Sequence, residues 1–308
     1  MKPILVMTIP LPFPELKAKG ESIETRLFEG DFNVFENAQV ICSTALNAID
    51  SDFIAQLPAS IKLIANIGVG YDNIDLAAAT EKGIAVTNTP VVTEDTADLA
   101  FSLILAASRQ LTANEKFLRD GKWTAERPIG CLGKTVHGAK LGIIGFGEIG
   151  QAVARRAKAF NMEISYHGPR RKIDAETQLD ATYFDSLTEL LTTSDIVSIN
   201  CPLNKSTHHI INAETIAAMR PDAIFINTGR GPLVDETALV NAMKNGHLFA
   251  AGLDVFEHEP EIHAELLALS NVTLTPHIGS ATSQCRGAMA ACAIRNILAQ
   301  LEGRLLLN

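Results

Sequence analysis

The chain has 308 residues, of which 47% are hydrophobic and 20% charged, and it carries a net charge of -9. That length suffices for two cores, since single domains usually run to roughly 100 to 200 residues; the acidic balance, with no basic run longer than Arg170-Arg171-Lys172, argues against a nucleic-acid footprint and for a small-molecule partner. No apolar stretch approaches the roughly 18 residues of a membrane span, and the opening residues lack a signal-peptide pattern, which predicts a cytoplasmic protein.

In chain order, short apolar runs at 4–7, 40–43, 63–66 and 85–88 read as strands, with the proline-rich 10–14 segment as a loop. None is followed by a full glycine fingerprint, so this is a sheet without its own dinucleotide. After Thr89-Pro90 a helical pattern over 93–118, carrying Leu99, Leu103, Ala106 and Ala107, is expected to connect two halves. Trp123 is expected to pack beneath the Gly121-Lys122 turn, a subunit contact or the substrate mouth being the alternative. From Lys140 onward, β-branched runs alternate with helical patterns, the signature of a parallel sheet covered on both faces. Strands are predicted at 141–144, 163–166, 196–200, 223–227, 251–255 and 272–275, the six of a dinucleotide-binding fold. In the first helix of that half Ile149, Val153, Ala157 and Phe160 line an apolar stripe, leaving Arg155, Arg156 and Lys158 to water. A final helical pattern, 282–301, is expected to return to the first domain. The five cysteines form no CxxC pair, which predicts free thiols and no zinc site; no other metal-ligand spacing appears.

The run Gly145-Phe146-Gly147-Glu148-Ile149-Gly150 follows a predicted strand and opens a helix. In that context the first glycine turns tightly, the second admits a pyrophosphate and the third allows close packing, while amides at the helix start face the phosphates. About 20 residues on, a carboxylate would grip the ribose 2′-hydroxyl of NAD. His167 stands there instead, followed by Gly168-Pro169-Arg170-Arg171-Lys172. With no carboxylate to repel a 2′-phosphate, and with Arg170 and Arg171 nearby, the sequence predicts NADP(H) in preference to NAD(H); a basic turn that reads neither cofactor strongly is the alternative. Three more segments, 227–231, 254–260 and 275–282, each follow a predicted strand. Ligands of open parallel sheets sit beyond the carboxyl ends of strands, so Arg230, Glu259 and His277 can converge there.

With these motifs in view, the chain resembles the D-isomer-specific 2-hydroxyacid dehydrogenases over essentially its full length. The glycine loop, 227–235, 254–260 and 277–282 stand in the family's order and spacing. Asn66-Ile67-Gly68-Val69-Gly70-Tyr71-Asp72 and Thr93-Glu94-Asp95-Thr96-Ala97-Asp98-Leu99 look most like the glyoxylate and hydroxypyruvate reductase branch. The resemblance implies an α/β fold of two Rossmann-like doubly wound parallel-sheet domains with an active-site cleft between them. Residues 1–98, joined by the C-terminal helix 283–308, would bind substrate, and 99–282 the dinucleotide. It implies that His277 is the acid and base, Glu259 its partner and Arg230 the clamp on the substrate carboxylate and carbonyl oxygen, with no metal needed. The amides of Val69 and Gly70 would form a second clamp. Cys201, Pro202, Thr207, Thr228, Gly229, Asp254 and Gly279 would join the glycine loop, His167 and the arginines around the cofactor, Asp254 at its nicotinamide end unless it is merely structural. A homodimer is implied, its twofold contact on the apolar surface of the long helix from Thr93. Two alternatives stay open: a reductase of bulkier or aromatic 2-oxo acids, hydroxyphenylpyruvate among them, and a dinucleotide-sensing protein of the corepressor kind. A formate dehydrogenase is disfavoured, the long N-terminal extension of that branch being absent.

Overall fold

The computed structural model describes residues 2–11 and 14–308; Met1 and the Pro12-Phe13 part of the proline-rich segment lie outside the described residues. The chain divides into two units, one made of residues up to Val92 together with Ala281–Asn308, the other of Thr93–Ser280.

The first unit contains β1 (Ile4–Met7), a small hairpin of β2 (Lys17–Ala18) and β3 (Glu21–Ser22), β4 (Glu24–Leu27), β5 (Val40–Thr44), α1 (Ser51–Gln56), β6 (Leu63–Ile67), α2 (Leu76–Glu81) and β7 (Ala85–Thr87). Its main sheet runs β4-β1-β5-β6-β7, parallel throughout. Strands buried on both faces read as unbroken apolar runs, and β5 and β6 do so because cores lie on each side. Ile41, Ile54 and Ile64 pack on one face, Leu5, Val40 and Leu63 on the other. Both short helices are started by an aspartate, Asp50 accepting from Phe53 N and Asp75 from Ala78 N. The polar edge strand β4 goes beyond the four strands expected; its residues alternate between half-buried and exposed and present no apolar run to detect.

The second unit opens with α3 (Thr93–Ser108) and α4 (Leu111–Arg119). It continues with β8 (Lys140–Ile144), α5 (Glu148–Ala159), β9 (Glu163–His167), α6 (Ile173–Leu179), β10 (Ala181–Phe184), α7 (Leu187–Thr193), β11 (Ile196–Ile199), α8 (Ala213–Ala218), β12 (Ala223–Asn227), α9 (Glu236–Lys244), β13 (Leu248–Leu253), α10 (Ala264–Ala268) and β14 (Val272–Leu274). The last helix, α11 (Ser283–Glu302), belongs to the first unit, where Ile297 joins the core under β5 and β6. The sheet of the second unit runs β10-β9-β8-β11-β12-β13-β14, all parallel. Six strands lie where the sequence predicts them, and the edge strand β10 is added. Strand order reverses between β8 and β11, which opens a crevice at the carboxyl edge where parallel sheets bind ligands.

The helix expected over 93–118 is broken. Gln110 takes left-handed backbone (φ 46) between α3 and α4. The break falls where core-facing spacing ends: α3 buries Ala97, Ala100, Phe101, Leu103, Ile104 and Ala107, whereas α4 has no buried residue. Since α3 is uninterrupted and packs on α5, β12 and β13, the division between units falls at Val92 and Thr93 rather than at 98 and 99. Most of the apolar face of α3 thus packs inside its own unit, and the segment beyond it leaves Leu111, Leu118, Trp123, Ile129 and Leu132 exposed. Trp123 is not packed beneath its turn: it is 62% exposed, and its Nε1 donates to Pro128 O at 3.0 Å. Arg156 is likewise more than a solvated residue, pairing with Glu94 and Asp98 of α3 at 2.9 and 2.6 Å.

A methyl group at Gly150 would collide with the Gly145 carbonyl oxygen and come within 3.2 Å of Ile143. Overpacking of this kind costs about 1–3 kcal/mol. Gly150→Ala should therefore lower the melting temperature by about 2–4 °C for each kcal/mol lost; an unchanged melting curve would show that the loop yields freely.

Candidate active site

Every sequence-predicted residue of the second unit lies at or beyond the carboxyl edge of its sheet, because each follows a strand of the same parallel set. Gly145 follows β8 with φ +91, and a Cβ there would stand 2.5 Å from Cys201 N. A side chain is excluded at that point on both conformational and steric grounds. Space beside Gly147 is open, with nothing within 4 Å of where a methyl group would stand. One tight turn, one open approach and one close packing contact are what a pyrophosphate at the start of α5 requires. Two buried polar atoms without a hydrogen-bond partner, Asn200 Oδ1 after β11 and Thr228 Oγ1 after β12, are further groups that a bound dinucleotide can satisfy. The loop between them is tied by Thr207, whose hydroxyl donates to Pro202 O at 2.7 Å and accepts from Asn204 N at 2.8 Å. Burial pushes the Cys201 thiol up to about 11, so it stays protonated at neutral pH.

At the end of β9, His167 Nδ1 lies 3.0 Å from Phe184 O, which places a proton on Nδ1. Arg171 pairs with Glu176 through Nε and Nη2 at 2.8–3.0 Å. Arg170 is exposed, and no hydrogen bond or ion pair holds its guanidinium among the described residues. Phe146 of the glycine loop stacks on Tyr166 of β9, with ring centroids 4.1 Å apart.

The remaining three segments form one constellation. Asn227 closes the turn after β12, accepting from Gly229 N at 3.0 Å and donating to Arg230 O at 2.9 Å. The next position, Gly231, lies so near the Phe256 carbonyl that a Cβ would overlap it, which brings the Arg230 turn against the loop carrying Glu259. Asp254, 1% exposed, spends both carboxylate oxygens on the loop after β14: Oδ1 accepts from Thr275 Oγ1 (2.6 Å) and Ile278 N (2.8 Å), Oδ2 from Gly279 N (2.8 Å). Its backbone carbonyl accepts from His277 N at 2.8 Å. These bonds hold His277 in left-handed backbone (φ 52), which non-glycine residues rarely adopt. His277 Nδ1 is 2.7 Å from Glu259 Oε2, while Glu259 Oε1 accepts from Phe256 N at 3.0 Å. The imidazole thus donates through Nδ1, and Nε2 is the nitrogen left for chemistry.

Burial raises Glu259, but the hydrogen bonds from His277 and the Phe256 amide, with the charges of His277 and Arg230, outweigh it and hold the carboxyl below its usual range. Asp254 goes the other way: burial lifts it, only partly opposed by its Thr275, Ile278 and Gly279 bonds.

Behind this loop lies a supporting layer in which Glu257 of the 254–260 segment meets His209 and Glu236, two residues outside the sequence motifs. Glu257 accepts from, or pairs with, His209 Nε2 at 2.6 Å, and the Glu257 amide donates to buried Glu236 at 2.7 Å. Burial raises the Glu236 carboxyl. His209 has no motif of its own; its only signal is proximity in chain to the Thr207 loop. In the first unit, Val69 and Gly70 follow β6. The carbonyls of Gly68 and Val69 accept from Thr89 N (2.9 Å) and Asn88 Nδ2 (2.7 Å). Since a trans peptide opposes its N–H to its C=O, these bonds fix the directions of the Val69 and Gly70 amides.

Residues 101–279 match the family model for the D-isomer specific 2-hydroxyacid dehydrogenase, NAD binding domain. The chain belongs to this family of oxidoreductases. It is 42% identical over 316 residues to the glyoxylate reductase of Thermococcus onnurineus (strain NA1), covering 98% of this chain and 94% of that protein. It is 43% identical over 275 residues to the glyoxylate/hydroxypyruvate reductase B of Erwinia tasmaniensis, covering 88% of this chain and 85% of that protein. Among solved structures it is similar to the NADPH-dependent glyoxylate/hydroxypyruvate reductase of Sinorhizobium meliloti in complex with NADP and malonate, with a TM-score of 0.88 and 33% identity over 100% of this chain and 96% of that one.

The lowered Glu259 has a consequence for stability. A carboxyl whose folded value lies below its unfolded value, about 4.3 for glutamate, contributes stability above that value and loses it as pH falls through the folded one. The melting-temperature gap between wild type and Glu259→Gln should be full at neutral pH and close as pH drops below the ordinary carboxylate range. A gap that stays constant to pH 3 would show that the ionised pair is not what stabilises this loop.

Proposed function

We propose that this protein reduces small 2-oxo acids, glyoxylate and hydroxypyruvate, to 2-hydroxy acids, with NADPH preferred over NADH and the D product formed where a stereocentre arises. The observation that carries this reading is the 2.7 Å bond between His277 Nδ1 and Glu259 Oε2, beside the turn that bears Arg230. The relatives named glyoxylate reductase support the substrate, and the Sinorhizobium complex with NADP and malonate supports the cofactor and a carboxylate-bearing ligand.

When bound, a reduced nicotinamide supplies hydride to the carbonyl carbon. Negative charge then grows on the carbonyl oxygen, and His277, protonated on both ring nitrogens, gives it the Nε2 proton while Nδ1 stays on Glu259. Glu259 favours that charged ring and fixes its plane. Arg230 keeps its proton at neutral pH and offers a planar set of donors suited to a 2-oxo carboxylate. The oriented amides of Val69 and Gly70 are proposed as further donors to that carboxylate. Around the cofactor, the glycine loop takes the pyrophosphate, and His167 with Arg170 takes the 2′-phosphate. The absence of a carboxylate at the end of β9 supports this preference, since an acid there would repel the phosphate.

The direct test follows absorbance at 340 nm with NADPH or NADH and each of glyoxylate, hydroxypyruvate and 4-hydroxyphenylpyruvate. NADPH turnover with the two small acids is expected, and His277→Ala should reduce kcat by about 10²- to 10⁴-fold. A clear preference for the aromatic acid would overturn the substrate assignment, and cofactor binding without turnover of any 2-oxo acid would favour a sensing role.

We further propose a cytoplasmic homodimer whose contact is built from α4 and the segment after it. Leu111, Leu118, Trp123, Ile129 and Leu132 are each more than half exposed there, a concentration of apolar area that stable interfaces bury. Sedimentation should give a dimer, and Trp123→Asp combined with Leu132→Asp should shift it to monomer. A wild-type monomer at working concentration would refute this contact.

A further inference from the structure

The turn after β9 carries three basic side chains in a row, and the sequence treats Arg170 and Arg171 alike. The structure separates them. Glu176, with its side chain 11% exposed, takes Arg171 by Nε and Nη2 and also accepts from Tyr166 Oη at 2.6 Å. Tyr166 is fully buried, and its hydroxyl in turn accepts from Lys172 N at 2.7 Å. The same ring stacks on Phe146 at 4.1 Å, with its plane within 15°. Tyr183 stands on the other side of the turn, its hydroxyl within hydrogen-bond reach of both Gly168 O at 3.2 Å and Asp185 Oδ1 at 3.1 Å. Tyr166 therefore links the glycine loop to the Arg171 and Lys172 end of the basic turn, while Tyr183 stands at the Gly168 end. Arg171 and Glu176 cancel one another's charge, so the net positive charge of the turn resides on Arg170 and Lys172. A guanidinium paired in two-pronged fashion to a carboxylate is held in direction, with Nε and Nη2 engaged.

Resting on the NADPH reading above, we infer that Arg171 is a positioning residue and not a phosphate ligand: with Glu176 and Tyr166 it bolts the 167–172 turn to the glycine loop, so that Arg170 is presented to the 2′-phosphate. Glu176 and Tyr166 thereby become determinants of cofactor affinity without touching the cofactor.

The test is equilibrium binding to the full-length protein, using NADPH and NADH by nicotinamide fluorescence and adenosine 2′,5′-bisphosphate by calorimetry. Arg171→Ala, Glu176→Gln and the double variant should each weaken adenosine 2′,5′-bisphosphate by the same factor, about threefold to tenfold, because residues acting through one another do not add. Tyr166→Phe, which keeps the stacking and removes the hydroxyl, should move affinity in the same direction while kcat at saturating NADPH stays unchanged. Should Arg171→Ala lose the fold, Arg171→Lys keeps the charge without the two-pronged pairing and is measured in its place. Additive losses, or a Glu176→Gln variant that binds NADPH more tightly because Arg171 has been released onto the phosphate, would overturn the inference. The underlying NADPH reading fails differently. In that case Arg170→Ala weakens NADPH and NADH alike, while coincident losses in the three Arg171 and Glu176 variants, now seen with NADH too, would still support the positioning set.

Discussion

The carboxylate of Asp254 is the interaction on which the reacting end of this protein depends. It is a buried charge, costly to desolvate unless it is well bonded. Three donors of the loop after β14 converge on it, and hydrogen bonds to charged groups contribute about 1.5–3 kcal/mol each. Left-handed backbone at a residue such as His277 costs roughly 1–2 kcal/mol. The clamp outweighs the strain, so the imidazole is held in an orientation that the free chain would avoid. The family resemblance implies a place for Asp254 at the nicotinamide end; the structure shows it holding the neighbouring loop after β14.

The two acids on either side of His277 are pushed in opposite directions by their surroundings. Asp254 is raised by burial, while Glu259 is held low chiefly through the imidazole it faces, against its own burial. Environments that separate otherwise equal groups in this way are how one site assigns different roles to like residues. Glu259 holds the His277 ring from a fixed position, because it is half-buried and already anchored by the Phe256 amide. Glu257, His209 and Glu236 brace the same loop from behind, and Gly231 lets the Arg230 turn lie directly against it.

Much of this was legible in the sequence, for physical reasons that also explain what was not. Strands buried on both faces cannot avoid being apolar runs, so β5, β6, β8, β11 and β12 announce themselves. The edge strands β4 and β10 have one neighbour each, tolerate polar residues such as Glu24, Arg26 and Thr182, and carry no such run. The glycine loop was readable because its shape resides in the backbone, and at Gly145 and Gly150 a side chain has no room. Side-chain partnerships were not. Arg170 and Arg171 are chemically identical, and only the burial of Tyr166 beside Glu176 tells them apart. The break at Gln110 has neither proline nor glycine to mark it; it follows from where the core under α3 ends.

Convergence of Arg230, Glu259 and His277 rests finally on register. In the sheet Asn227 pairs with Leu253, and Leu253 with Leu274, so the three loops leave from neighbouring points on adjacent strands. That alignment exists because the β12 and β13 pairing slips by one residue between Ala223 and Ile224: Ala223 faces Leu248, yet Ile224 faces Ala250. Phe249 is the extra residue, and its carbonyl accepts from Asn271 Nδ2 at 3.2 Å. Without the slip Asn227 would face Gly252, shifting the Arg230 turn by about 3.3 Å along the strand relative to Asp254 and the Glu259 loop. Alternate side chains of β13 would also exchange faces beyond that point. In the proposed reaction, a carboxylate clamp and a proton donor acting on one small molecule could not tolerate a displacement of that size, since donor distances matter within a few tenths of an ångström. An irregularity at the opposite end of the strands, outside every motif the sequence singles out, therefore sets the register from which the Arg230, Glu259 and His277 loops leave the carboxyl edge.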